Sequence, residues 1–422
     1  MKYYIKTFGC QMNERDSEKI ESILQENGYE ISNVKDADIV IVNSCAVREK
    51  SERKIFSEIG RIKNLNKKAK FISMGCVAQI YPEELSKISD VVLGTTSLYE
   101  FKQLFNDGIK GTFISNTIQN PDYVFGHLKN IRAYVDITYG CNNFCTYCVV
   151  PYTRLREVSR SYKSILEEIK EIVEFGGKEV ILLGQNVNSY NYEGLNFIGL
   201  LEMINKIEKL KRIRFITSHP KDFGEDLAIA ISEFEKACEH LHLPLQSGSD
   251  RILRLMRRRY NFKEFAKKIE YFRKYNPKGS VTSDIIVGFP QETKDDFKKT
   301  IFALKEIQFD EIYSFKYSNR PFAKASLMPN QVSEEEKNER LLMVQEIQSK
   351  ISKQINNRYF GNIEEVLLDS KAKLANQMQG RTRTNKIVNI DNVDFTLKEG
   401  DIVFAKIKKI NKHSLNGEIC TN

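Results

Sequence analysis

The sequence predicts an α/β protein in three parts: an N-terminal doubly wound parallel sheet, a central partial (β/α)6 barrel and a C-terminal small all-β barrel. Three observations carry that reading. Short apolar runs alternate with amphipathic stretches over the first hundred residues and again after about residue 130. Between these series, Gly108 to Asn130 lose the alternation and gather Gly, Asn, Pro and Asp, the composition of a linker. Past Asn357 the helical pattern gives way to short β runs. A chain of 422 residues exceeds one ordinary core, and the expected domains are 1–115, 127–356 and 359–422.

In the first domain the strands are KYYIKTF, ADIVIVN, KFISMG and DVVLG, with helices from about Glu14, from about Glu49 and around Glu83. Cys10, Cys45 and Cys76 each follow one of the first three strands by one or two residues. A parallel sheet brings such positions to its carboxyl edge, where open α/β sheets bind ligands. In the second domain the strand candidates are RAYVDIT, KEVILLG, RIRFITS, EHLHLPL, SVTSDIIVG and DEIYSFKY, separated by helices such as SYKSILEEIKEIVEF and KDDFKKTIFALKEI. Six β/α units make a partial barrel whose active face lies at the strand C-terminal ends. Helical signal continues from Ser333 to Asn357, and IEEVLLDS, IVNI, DIVFAKIKKI and LNGEIC then supply the strands of a small β-barrel.

Composition narrows the function class. The N-terminus MKYYIKTFGC shows neither a basic leader with an apolar stretch nor a cleavage site, and no uncharged run reaches bilayer length. A cytoplasmic protein is therefore expected, with no membrane partner. In that reducing compartment, cysteines grouped at short spacing read as metal ligands or redox groups. The net charge of +9 is compatible with a nucleic-acid partner but does not require one.

TYGCNNFCTYC places Cys141, Cys145 and Cys148 at CxxxCxxC spacing directly after a strand. Three thiolates hold a four-iron cluster with one iron left open for a ligand. Zinc and unligated thiols remain alternatives on spacing alone, although a closed zinc site needs four ligands and no other Cys or His lies between His127 and His219. Cys238 and Cys420 stand alone and read as structural.

CxxxCxxC with an aromatic, Tyr147, before the last cysteine resembles the radical S-adenosylmethionine superfamily. TFGCQMN, NSCAVRE, MGC, CTYCVVPYTR, LLGQNVNSY, TSHP, HLPLQSGSD and GRTRTNK extend the resemblance, in one order along nearly the whole chain, to its methylthiotransferases. Within these the branch acting on isopentenyladenosine beside the tRNA anticodon is the most similar. The resemblance implies two 4Fe-4S clusters. Cys141, Cys145 and Cys148 would hold the one that cleaves S-adenosyl-L-methionine to a deoxyadenosyl radical, and Cys10, Cys45 and Cys76 an auxiliary one carrying the sulfur. One S-adenosylmethionine would methylate that sulfur and a second would give the radical. It implies further that Tyr147, Gln185, Asn186, Ser218 and Gln246 line the cofactor and substrate pocket, and that the C-terminal part is a TRAM domain whose Arg381, Arg383, Asn385 and Lys386 contact RNA.

The implied partners are the tRNA anticodon stem-loop and a one-electron donor such as flavodoxin or ferredoxin, acting with a monomer. The same chemistry on threonylcarbamoyladenosine or on a ribosomal-protein aspartate is the nearest alternative. A non-catalytic metal-bearing RNA-binding redox sensor is the alternative from another class. His219, before Pro220, is not assigned as a general base, because hydrogen abstraction by a radical needs geometry rather than a base; His240 and His242 are given no catalytic role. The arginine-rich run Arg251 to Tyr260 is expected either to meet RNA phosphate or to form a solvated helix face. Leu155, Gln291 and the SNRPFAKAS loop depart from positions where the family carries glycine, so loops of altered conformation are expected there.

Overall fold

The computed structural model describes residues 1–422 except 47–48, 107, 129, 373–375, 392, 394–395, 421–422 and the side chains of 49–54. Val47 and Arg48 of the NSCAVRE run, and Lys129 of the linker, lie outside the described residues.

The first domain is a parallel sheet of β1 (Lys2–Phe8), β2 (Glu30–Ile31), β3 (Ile39–Ser44), β4 (Lys70–Gly75), β5 (Val91–Leu93) and β6 (Gly111–Phe113), in the order β2-β1-β3-β4-β5-β6. β3 is buried along its length, as a central parallel strand covered on both faces must be. The order reverses between β1 and β3, and such a switch point opens a crevice at the strand C-terminal ends. Register fixes what stands there. Phe8 pairs with Ser44 and Ser44 with Gly75, so the chain leaves three adjacent strands at one level. β6 falls inside the stretch assigned to the linker. It is a three-residue edge strand, exposed at two positions, too short for an alternating pattern to betray it.

The second domain has β7 (Arg132–Asp136), β8 (Glu179–Leu183), β9 (Arg212–Phe215), β10 (His240–His242), β11 (Ser280–Val287) and β12 (Glu311–Lys316). They pair in parallel as β9-β8-β7 and β10-β11-β12, and a parallel bridge from Ile213 to Ala237 joins the two sets. The result is the expected six-stranded partial barrel. Its helices pack Ile165, Ile169, Leu200, Leu201, Phe265 and Leu304 onto Val135, Leu182, Ile213, Leu241 and Ile285 of the strands. The caps are local: Ser161, Asn261 and Thr293 each accept a backbone N–H from the first turn of the helix that follows.

A helix over Glu334–Asn356, capped by Ser333, leads to a closed five-stranded barrel of β13 (Ile363–Lys371), β14 (Met378–Thr382), β15 (Ile387–Asp391), β16 (Ile402–Ile410) and β17 (Leu415–Ile419), ordered β13-β14-β15-β17-β16. β14 is absent from the four β runs read in the sequence, because it opens the polar GRTRTNK segment. Among the described residues no helix is long and apolar enough to cross a membrane.

Two charged seams hold the parts together. Arg15, 1% exposed, donates to Glu18 (2.8 Å) and to Glu168 of the barrel (3.1 Å), while Arg160 and His127 also bond Glu168 at 2.5 and 2.6 Å. Lys19 pairs with Asp136 beside the Tyr139 ring. At the opposite, N-terminal end of the barrel strands, Arg212 and Arg214 donate to the carbonyls of Arg381, Thr382 and Arg383 at 2.6–2.8 Å.

Candidate functional site

Cys10 caps the helix Gln11–Glu26, Cys45 follows β3, and Cys76 opens the helix Cys76–Ile80 directly after β4. The sheet edge thus gathers three thiols from positions 66 residues apart at most. Cys45 lies in side-chain hydrogen-bonding contact with both Cys10 and Cys76. Sharing its proton with both raises the Cys45 thiol and lowers the others to about 6, with Arg154 adding to the lowering. Arg154 is buried and hydrogen-bonds Cys76 while its Nη2 donates to Asp16 at 2.6 Å.

Cys141, Cys145 and Cys148 lie on the loop after β7, at the C-terminal end of the barrel. Each sulfur accepts its own hydrogen bond: Cys141 from Asn143 Nδ2 (3.4 Å), Cys145 from Arg258 Nη1 (3.5 Å) and Cys148 from the Val150 amide (3.4 Å). Burial raises the Cys141 and Cys148 thiols. Among the described residues no group of three or more His, Cys, Asp or Glu side chains is gathered to hold a metal ion. The donor sets fit a sulfide cluster instead: thiols alone, three to a set, with N–H donors or a guanidinium turned to the sulfurs.

The two thiol sets share one neighbourhood. Cys10 and Met12 pack against Tyr134, Ile181, Leu183 and Ile216 of the barrel strands. Arg154 belongs to the Cys148 loop yet contacts Cys76. A cleft lined by Lys19, Thr95, Tyr139, Arg154 and Gln185 lies between the domains.

The residues expected around the cofactor divide into two groups. Gln185 (Nε2 and Oε1), Ser218 (Oγ) and Gln246 (Oε1) have buried polar atoms without a hydrogen-bond partner, as has His219 (Nε2). Buried polar atoms are costly when unmade, so this cluster at the ends of the barrel strands fits a polar ligand such as S-adenosylmethionine. Asn186 differs: its Nδ2 donates to Asp222 (2.7 Å) and its Oδ1 accepts from the His219 amide (3.0 Å), so its amide shapes the loop. Tyr147 packs against the apolar group of Ile252, Met256, Phe289, Tyr317 and Ala325, and accepts from Arg258 at 3.4 Å.

Burial, with Arg258 and Lys221 nearby, pushes the His219 imidazole down to about 2. His240 and His242 both meet Thr282 Oγ1, at 3.1 and 3.0 Å.

Two groups of residues expected near RNA have partners within the protein. The arginine-rich run is not uniformly solvated: Arg258 is buried against Cys145 and Tyr147 and donates to Pro244 O (3.0 Å), and Arg251 is held by Asp296 and Gln291 O. The basic GRTRTNK side chains bond protein partners yet keep part of their surface, with Arg381, Arg383 and Lys386 28%, 23% and 16% exposed. Arg383 bonds Glu239 (2.8–3.1 Å) and Ala237 O (2.6 Å), Lys386 sits 3.6 Å from Asp310 and over the Tyr359 ring, and Arg381 lies 3.4 Å from Asn385 and 3.8 Å from Asp369. The charges at the starts of the barrel strands supply the reason, since Glu239 and Asp310 require cations there. Sequence reading missed Arg154, Arg258 and Asp16. The signal for Arg154 was its place six residues past Cys148, and that for Arg258 its place inside a conspicuous basic run.

Leu155, Gln291 and Phe322, the three places where glycine would follow the family pattern, have φ of 65°, 68° and 65°. Ordinary side chains at these three positions occupy the left-handed backbone that glycine favours, at a cost.

Comparison with known proteins agrees with this architecture. Residues 135–304 match the Radical SAM superfamily model, 2–94 the model described as Uncharacterized protein family UPF0004, and 357–420 the TRAM domain. A Kitasatospora setae radical S-adenosylmethionine methyltransferase, TsrM, solved with cobalamin and a [4Fe-4S] cluster bound, shares the fold at a TM-score of 0.56 and 13% identity, over 77% of each chain. The tRNA-2-methylthio-N(6)-dimethylallyladenosine synthase of Thermodesulfovibrio yellowstonii is 47% identical over 99% of this chain and 98% of its own length. That of Caldicellulosiruptor saccharolyticus is 43% identical over 99% and 92%. With its domains, thiol sets and relatives in agreement, the chain belongs to the family of tRNA-2-methylthio-N(6)-dimethylallyladenosine synthases.

Proposed function

We propose that this enzyme adds a methylthio group to carbon 2 of N6-isopentenyladenosine beside the anticodon of tRNA. The observation that carries the reading is that two three-cysteine sets stand on facing domains, linked by Arg154 of the Cys148 loop, which reaches Cys76, in a chain that matches synthases of this name along 99% of its length. When bound, a 4Fe-4S cluster at Cys141, Cys145 and Cys148 supplies the electron that cleaves S-adenosylmethionine, and one at Cys10, Cys45 and Cys76 supplies the sulfur.

The chain's own residues do the rest. Asn143, Arg258 and the Val150 amide orient the barrel thiols through N–H···S bonds. Gln185, Ser218 and Gln246 offer buried polar atoms to the cofactor's charged ends and adenine. Arg154, anchored by Asp16, holds positive charge against Cys76 and Cys10. The Arg15–Glu168–Arg160 seam ties the first helix to the barrel and so holds the two domains that carry the thiol sets against each other.

A soluble flavodoxin or ferredoxin serves as electron donor, in the cytoplasm, to a monomeric enzyme. Mass spectrometry of tRNA nucleosides from a deletion strain tests the reading. Loss of 2-methylthio-isopentenyladenosine, with isopentenyladenosine accumulating, is the expected result. Unchanged levels, or loss of the methylthio derivative of threonylcarbamoyladenosine instead, would overturn the assignment.

A further inference from the structure

A partly exposed row of aromatic rings runs beside the barrel thiols and has no part in the chemistry above. Phe144 lies between Cys141 and Cys145, with its backbone in the left-handed region (φ 49°). Tyr152, on the short helix Val150–Thr153, is 38% exposed and meets the Phe144 ring edge-on at 6.3 Å. Phe322, 62% exposed, lies 5.7 Å from Tyr152 with the two rings only 31° apart. The exposed Arg156 places its guanidinium 4.2 Å over the Phe144 ring, and the exposed Lys324 follows two residues after Phe322.

Folding alone does not account for this arrangement. A phenylalanine that is mostly in water contributes little burial, and Phe322 also carries a backbone conformation that glycine would adopt without strain. Its neighbours fix the loop without it: Ala323 and Ala325 are buried, and the Ala325 amide donates to the Thr146 carbonyl at 2.8 Å. The Phe322 ring is thus held out over Tyr152 by a loop pinned to the Cys145–Cys148 segment.

We propose that Phe144, Tyr152 and Phe322, with Arg156, form a stacking platform for the unpaired bases that flank the target adenosine. The inference rests on the tRNA reading above. Flat rings stack on any base, and a guanidinium above one of them adds both a planar surface and attraction to phosphate. An apolar protein partner would not need the two cations at the rim, and an acidic one would not need the aromatic rings beside them.

The test uses the full-length, anaerobically reconstituted holoenzyme and an anticodon stem-loop RNA carrying 2-aminopurine beside the target position. F322G and Y152A are each expected to weaken stem-loop binding by about tenfold and to reduce the fluorescence quenching that reports stacking. The F322G protein should meanwhile keep or raise its thermal midpoint, because glycine relieves the left-handed backbone. A residue with a merely structural role would move the two readouts together. Unchanged RNA affinity and quenching in both variants would overturn the platform. So would a fall confined to flavodoxin-driven turnover with dithionite-driven turnover intact, which would assign the surface to the electron donor. Failure of the unsubstituted enzyme to bind the stem-loop would instead overturn the tRNA reading, and the platform with it.

Discussion

The Arg154 guanidinium donates to Asp16 at 2.6 Å and also hydrogen-bonds Cys76, so the loop that carries the barrel thiols places its own cation at the sheet-edge thiols. Both partners of the ion pair are buried, at 7% and 2% side-chain exposure. Asp16→Asn leaves a buried cation without its counter-charge and should lower the unfolding free energy by about 3 kcal/mol. A urea titration checks this. The iron content of the purified variant should also fall, because Arg154 is then free to swing from Cys76.

The interdomain seam makes stability depend on pH in two directions. Burial opposes the Glu168 charge most strongly, yet Arg160, His127 and Arg15 together hold the carboxyl well below the ordinary carboxylate range. Its contribution is therefore complete above about pH 4.3 and is lost as pH falls through the lower folded value. His127 behaves oppositely: burial and Arg15 push it down, but Glu168 and Glu18 lift it above its ordinary value. Its contribution is complete below about pH 6.5 and disappears as pH rises through the folded value. Denaturant midpoints measured across pH should fall on both flanks, and His127→Gln should abolish the alkaline decline while leaving the acid one.

Gln185 buries an amide with neither atom partnered. Gln185→Ala should raise the dissociation constant for S-adenosylmethionine by about tenfold while the thermal midpoint of the ligand-free protein holds or rises. Equilibrium binding to the reconstituted enzyme, together with calorimetry, separates the two. A fall in midpoint with unaltered affinity would assign the amide to the fold instead.

Arg383 is engaged by Glu239 and Ala237, at 23% side-chain exposure. Arg383→Ala should speed proteolytic cleavage near 357–362, with a stability loss of about 1 kcal/mol for this partly exposed pair. It should leave the salt dependence of tRNA affinity unaltered, because that slope counts phosphate contacts. A shallower slope would return Arg383 to the RNA interface.

Much of this was legible in the chain. β1, β3 and β4 announce themselves as apolar runs, and a cysteine directly past each is placed by parallel topology alone. The barrel loop is legible because its three ligands fall within eight residues. What escaped was set by partners distant in sequence. Arg383 looks like a free basic residue until Glu239, 144 positions away, is brought against it. Arg154 looks like part of a loop until Asp16 meets it across 138 positions. The conformation at Leu155 and Gln291 was not legible for a different reason: glycine marks where a left-handed backbone is easy, and no residue type marks where an ordinary side chain adopts it.

The seam between Arg212, Arg214 and the 381–383 carbonyls has a consequence for biogenesis. Chains fold from the N-terminus as they leave the ribosome, and the barrel strands emerge well before the segment that satisfies the arginines at their starts. Until residues 381–383 emerge, those guanidiniums have Glu179 of the barrel as partner but lack their carbonyl acceptors. The floor of the barrel is therefore completed last, when the small β-barrel docks its 381–383 carbonyls onto arginines that have been waiting beside Glu179.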